Sequence, residues 1–168
     1  MTEQEQRHTI AVLVDNEPGV LARVIGLFSG RGYNIDSLTV AEVDNVEHLS
    51  RINLVVRGTS QVIEQIKALL DKLVPVRRVS DLTIEGPHVE RELALVKVAG
   101  DREALVQALR IADIMHGRLV DSTIESFVFE ITGSSDQLDA FIHLMEPLGL
   151  SEVSRAGVVA IARGRKGM

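Results

Sequence analysis

The stretch best suited to capturing a small charged molecule is Asp15-Asn-Glu-Pro-Gly-Val-Leu21, which joins an apolar run to an amphipathic one. Pro18 presets one backbone angle and Gly19 permits close approach of a ligand, while the free amides at a helix start favour a carboxylate. Asn16 carries an amide donor and a carbonyl acceptor, so one side chain can bond both the carboxylate and the amino group of a zwitterion. Asn34 is expected beside this loop, at the same end of the sheet, where the second strand begins. A structural role is also open: Asp15 and Asn16 can cap the helix and Asn34 can end a turn, and residue types alone favour that simpler explanation.

Other candidates carry less chemistry. Gly30-Arg-Gly-Tyr33 lacks both the lysine of a phosphate-binding P-loop and a strand-leading Gly-x-Gly-x-x-Gly, and reads as a helix stop. The five histidines, His8, His48, His88, His116 and His143, are scattered singly, without the spacing of a zinc site. Glu90, Glu92 and Asp101 show no catalytic pairing, and Ser134 with Gln137 has capping-box spacing, which accounts for Ser134-Ser135 without a nucleophile. Nothing in the pattern demands an enzyme.

Composition excludes further classes. With no cysteine, the chain has no disulfide, thiolate metal site or cysteine nucleophile. A net charge of −6 argues against nucleic acid as the main partner, although a local basic patch remains compatible with it. No run approaches the roughly 20 apolar residues of a membrane span, and no signal-peptide core follows the polar start, so a cytoplasmic protein without membrane contact is expected. Hydrophobic residues at 45% and charged residues at 25% are the balance of a folded globular chain.

These residues must be positioned by regular elements. Ile10 to Val14 reads as a strand buried on both faces. Val20, Leu21, Val24, Ile25, Leu27 and Phe28 form one helical stripe, ended by Gly30 or Gly32. A strand is expected over Tyr33–Val43. In the next, Ile52, Leu54 and Val56 face the core while Arg51, Asn53 and Arg57 face water. Gly58-Thr-Ser60 starts a second helix that stops before Pro75, and Val76–Ile84 closes the unit as a fourth strand. Glu85-Gly-Pro-His88 is the best linker. The pattern then repeats: strand Arg91–Ala99, helix Asp101–Met115, strands Arg118–Ile124 and Ser126–Thr132, a helix capped by Ser134, and a last strand within Leu150–Ala162. The expected fold is α+β, two tandem ferredoxin-like βαββαβ units, each an antiparallel sheet with both helices on one face. The opposite face of such a sheet needs a cover, and pairing between copies with two-fold symmetry, at least a homodimer, is expected to supply it.

Asp15-Asn-Glu-Pro-Gly-Val-Leu21, Arg23 to Ser29 and Arg31 to Val40 together resemble the regulatory subunits of acetohydroxyacid (acetolactate) synthase. The resemblance resumes at Lys72-Leu-Val, His88-Val-Glu-Arg-Glu-Leu93, Leu95-Val-Lys97, Leu138-Asp-Ala-Phe141 and Arg155-Ala-Gly-Val-Val159, covering nearly the whole chain. It implies an ACT domain over 8–84, which binds effector and dimerises, a linker at 85–89, a C-terminal regulatory domain over 90–163 and a basic tail at 164–168. It further implies a non-catalytic subunit that activates a separate catalytic subunit and confers feedback inhibition by valine in branched-chain amino acid (valine, leucine and isoleucine) biosynthesis. Valine would lie between two ACT domains, against Asn16, Gly19, Val20 and Leu21 of one subunit and Asn34 and Ile35 of the other. No cofactor is implied on this chain; thiamine diphosphate, magnesium and FAD would belong to the catalytic partner. Pro18 stands where Ser also occurs in the family and the 42–48 hairpin is variable, which leaves effector preference open.

The alternatives are a free-standing ACT amino-acid sensor controlling another enzyme, a small enzyme acting alone, and an RNA-recognition module. The last needs aromatics on its central strands, and Thr9–Val14 and Arg51–Val56 have none.

Overall fold

The computed structural model describes residues 3–168, which divide into two compact units: residues 3–89 with 158–168, and residues 90–157. The first unit begins β1 (Gln6–Asp15), α1 (Val20–Ser29), β2 (Ile35–Asp44), β3 (Leu49–Gly58), α2 (Ser60–Asp71) and β4 (Val76–Asp81), followed by the short helix α3 (Leu82–Glu85). Its antiparallel strands lie in the order β2-β3-β1-β4, the ferredoxin-like arrangement expected from the sequence.

One face of this sheet is apolar because alternate strand residues point the same way. Ile10, Val12, Val14, Ile52, Leu54 and Val56 meet Val20, Val24 and Phe28 of α1 and Ile63, Ile66 and Leu70 of α2. Fully burying each such side chain contributes about 1.5–3 kcal/mol. The end of α1 is fixed by a Schellman turn: Tyr33 N donates to Phe28 O at 3.1 Å, with Gly32 between them at φ 68°. Of the two glycines able to stop the helix, Gly32 takes the left-handed conformation, and the Phe28 and Tyr33 rings meet edge to face at 6.5 Å. Thr59 caps α2, accepting from Val62 N at 3.3 Å.

The second unit takes most of β5 (His88–Ala99), then α4 (Arg102–Ile114), β6 (Arg118–Ser122), β7 (Ser126–Gly133), α5 (Ser135–Met145), a short 3₁₀ turn (Glu146–Leu148) and β8 (Leu150–Arg155). Its order, β6-β7-β5-β8, repeats that of the first sheet. Asp101 caps α4, and Ser134 with Gln137 forms the expected capping box at α5. Phe129 is central to the core, edge to face with both Phe127 and Phe141.

Three expectations need correction. The fourth strand ends at Asp81 and not Ile84, because the buried Asp81 side chain accepts from Thr83 N at 3.1 Å and so starts α3; its other oxygen takes His8 Nδ1 at 2.8 Å. The last strand is two: β8 stops at Arg155, Gly157 turns the chain at φ 88°, and β9 (Val159–Ala162) belongs to the first unit. By its contacts the second unit runs from 90 to 157, and residues 158–168 lie with the first.

The third correction follows from that return. Only part of the outer face of β3 is wet: Asn53 is 6% and Val55 2% exposed. Residues 158–168 cover it, packing Ala160, Ala162 and Met168 on Ala11 and Leu82. Sheet side chains satisfy the segment's backbone: Val158 N donates to Ser37 Oγ at 2.8 Å, Thr39 Oγ1 to Val158 O at 3.2 Å and Arg51 Nη2 to Ala160 O at 2.7 Å. The basic tail expected over 164–168 lies partly on this face, with Arg78 Nη1 donating to Gly167 O at 3.1 Å.

Candidate functional site: the β1–α1 loop and the β2 entrance

Asp15 ends β1, and its backbone amide donates to Pro75 O at 2.8 Å. One residue on, Asn16 N donates to His48 O at 2.7 Å, tying the loop to the β2–β3 hairpin. His48 holds a left-handed conformation at φ 53° to make that turn. Asp44 closes the same hairpin, accepting from Val46 N at 2.9 Å and Glu47 N at 3.0 Å. The Glu47 amide, then that of Val46, holds the Asp44 carboxyl below its ordinary pKa. The loop backbone is thus fixed from two sides before any ligand arrives.

The capping alternative does not hold for this loop. The residue at the cap position of α1 is Gly19 itself, at φ 83°, and no side chain caps the helix. Asp15 is drawn elsewhere: its Oδ1 takes Arg77 Nε at 2.7 Å. Asn16 is exposed, and among the described residues its side-chain amide has no hydrogen-bond partner. A side-chain cap would have consumed first-turn amides that a carboxylate needs; here no side chain takes them, and Val20 N makes only a long bond to Glu17 O at 3.4 Å.

The remaining loop residues divide by depth. Gly19 is exposed, with nothing within 4 Å of where a Cβ would stand. Val20 is 5% exposed and packs into the core, so what it can offer a ligand is its main chain. Leu21 is half-buried at the edge of the same core.

Asn34 and Ile35 are not beside this loop within one chain, contrary to the sequence expectation. Asp15 and Asp44 both pair with Leu49, whereas Ile35 pairs with Val56, whose other neighbour is His8. β1 and β2 therefore run parallel on either side of β3, and the start of β2 lies at the far end of the sheet, about 30 Å away at the usual rise per strand residue. There Asn34 is exposed and Ile35 half-buried, with Asp36 fixed by Arg57 Nε at 2.7 Å. A second strand antiparallel to the first would begin beside the loop, but β3 lies between them and antiparallel to both, which restores the direction. Sequence reasoning also missed His48, Arg77 and Pro75 as the residues that hold the loop; these contacts come from distant segments and leave no local pattern.

Among the described residues no group of three or more His, Asp or Glu could hold a metal ion, and no helix is long and apolar enough to cross a membrane.

Comparison with known proteins agrees over both units. Residues 10–78 match the family description "AHAS small subunit-like ACT domain" and residues 91–164 match "Small subunit of acetolactate synthase". The probable acetolactate synthase small subunit of Archaeoglobus fulgidus is 46% identical over 160 residues, covering 95% of this chain and 99% of the relative. The isozyme 3 small subunit of Escherichia coli is 44% identical over 161 residues, covering 95% and 98%. The crystal structure of the acetolactate synthase small subunit from Thermotoga maritima superimposes with a TM-score of 0.86 at 37% identity, covering 96% of this chain and 99% of that one. With both units matched and relatives aligned along almost their full length, the chain belongs to the acetolactate synthase small-subunit family.

Proposed function

We propose that this chain is the regulatory subunit of an acetolactate synthase: it activates a separate catalytic subunit and makes it sensitive to feedback inhibition by valine. The observation that carries the effector reading is the uncapped, firmly held β1–α1 loop with its unpartnered Asn16 amide. The first-turn main-chain amides of Val20 and Leu21 would bind the effector carboxylate and Asn16 its polar groups, while Gly19 leaves room for the ligand.

The position of Asn34 supports a homodimer. β2 is an edge strand, and two copies joined antiparallel along it would carry the β2 entrance of each to the end of the sheet where the partner's loop lies. Asn34 and Ile35 would then complete the site across the interface. Effector bound there favours one arrangement of the dimer, and the catalytic subunit responds through its contact with this protein. Such a coupling is typically about 1–3 kcal/mol, and it is bounded by the effector's differential affinity for the two arrangements. Thiamine diphosphate, magnesium and FAD, and with them the chemistry, are assigned to the catalytic partner; the pair would work in the cytoplasm.

Calorimetric titration of valine into the purified chain and into Asn16→Ala tests the site. Saturable binding that weakens at least tenfold in the variant is expected; absence of binding at millimolar valine would remove the effector role.

A further inference from the structure

The first unit holds a second candidate site, distinct from the effector loop. The segment 158–168, laid on the outer face of the sheet, leaves a cavity of about 100 Å³ against β3, β4 and α3. A lone ordered water needs only about 10–15 Å³ of such space, so there is room for a small molecule.

The lining has two characters. Arg51, Arg78 and Lys166 bring three cations to it, against the side-chain carboxylate of Glu85 and the terminal carboxylate of Met168, in a chain whose net charge is −6. Glu85 is already engaged, accepting the hydroxyl of the buried Ser80. None of the three cations forms an ion pair among the described residues. Arg51 gives one donor to Ala160 O and a long one to Asn53 Oδ1 at 3.5 Å, and Arg78 gives one to Gly167 O. Each guanidinium has five N–H groups, so donors remain on both. The rest of the wall is aliphatic, with Leu82 and Ala162 the most buried parts. Burial also lowers the pKa of Arg51, as expected for a cation withdrawn from water without a counter-charge.

We infer that this cavity binds a small aliphatic carboxylate, its anionic end on Arg51, Arg78 and Lys166 and its hydrocarbon body on Leu82 and Ala162. The excess of positive charge selects a monoanion over a zwitterionic amino acid. The apolar wall selects a carboxylate with a branched or short hydrocarbon body, such as a 2-oxo acid, over inorganic phosphate. Because residues 158–168 form one side of the cavity, a bound carboxylate also fastens that segment to the sheet.

The test uses the full chain and 2-oxoisovalerate as probe, with inorganic phosphate and neutral isobutanol for comparison, at fixed ionic strength. Calorimetry should show saturable binding of 2-oxoisovalerate and at least tenfold weaker binding of the other two. Arg78→Gln and Lys166→Gln, both at exposed positions, should each weaken the probe several-fold. Glu85→Gln should tighten it, and Asn16→Ala should leave it unchanged. No saturable binding in the millimolar range overturns the site. So does binding lost in Asn16→Ala but kept in Arg78→Gln, which would place the probe at the effector loop. Phosphate bound as tightly as 2-oxoisovalerate overturns the assignment of ligand class.

Discussion

Arg51, on the central strand β3, donates from Nη2 to the carbonyl of Ala160 across 2.7 Å, fastening a segment 109 positions later onto the face of the first sheet that the helices leave bare. Ala160 is 7% exposed there, while its neighbour Val159 points away at 52%. Ala160→Asp is therefore expected to destabilise the chain by about 3 kcal/mol, since it buries an unpaired charge. Val159→Asp should stay within about 0.5 kcal/mol. Urea denaturation of the two variants measures the contrast, and equal midpoints would show that 158–162 does not rest on the sheet.

The second unit depends on a different contact. Glu92, 6% exposed, receives Arg155 Nε and Nη2, each at 2.8 Å, and the Ser135 hydroxyl at 3.1 Å; Arg155 Nη1 also reaches Asp139 at 2.5 Å. Breaking a fully buried ion pair costs about 3–5 kcal/mol; Arg155 keeps a third of its surface in water, so Arg155→Met should cost about 2 kcal/mol at neutral pH. The bonds from Arg155 hold the Glu92 carboxyl below its ordinary pKa. A depressed carboxylate stabilises the fold above its unfolded value of 4.5 and loses that contribution as pH falls through the folded value. Melting temperatures of wild type and variant should thus draw together as pH falls below 4.5 and through the folded value, and a gap that persists unchanged there would show that Arg155 acts by packing alone.

Two glycines with similar backbone angles should respond differently to alanine. Gly149, at φ 101°, would place a Cβ 2.1 Å from the backbone oxygen of Ala99, so Gly149→Ala is expected to cost well over about 2 kcal/mol. Gly19, at φ 83°, has open space around it, and Gly19→Ala should cost only the conformational term, about 1 kcal/mol. A variant that keeps the fold and loses valine binding would be the second case; thermal melts followed by valine titration separate the two effects.

The order of elements was legible because each announces itself locally: the stripe from Val20 to Phe28, the Thr59 and Ser134 caps, the buried run from Ile10 to Val14. What was not legible depends on partners far along the chain. Asn53 and Val55 alternate as any half-wet strand does, and only the return of residues 158–168 buries them. Asp81 reads as part of a strand until its bonds to His8 and to Thr83 N turn the chain. The loop residues Asn16 and Gly19 stood out by type. The distance of Asn34 from them did not, since strand direction depends on topology, and that distance is what makes a second copy necessary to the proposed site.

The most direct test of the regulatory reading is acetolactate formation by a catalytic subunit measured alone, with this chain, and with this chain plus valine. The chain is expected to raise turnover, valine to reverse the gain only when the chain is present, and Asn16→Ala to keep the activation while needing at least tenfold more valine for the same inhibition. Turnover unchanged by the chain, or valine inhibition of equal strength with and without it, would rule out a regulatory role.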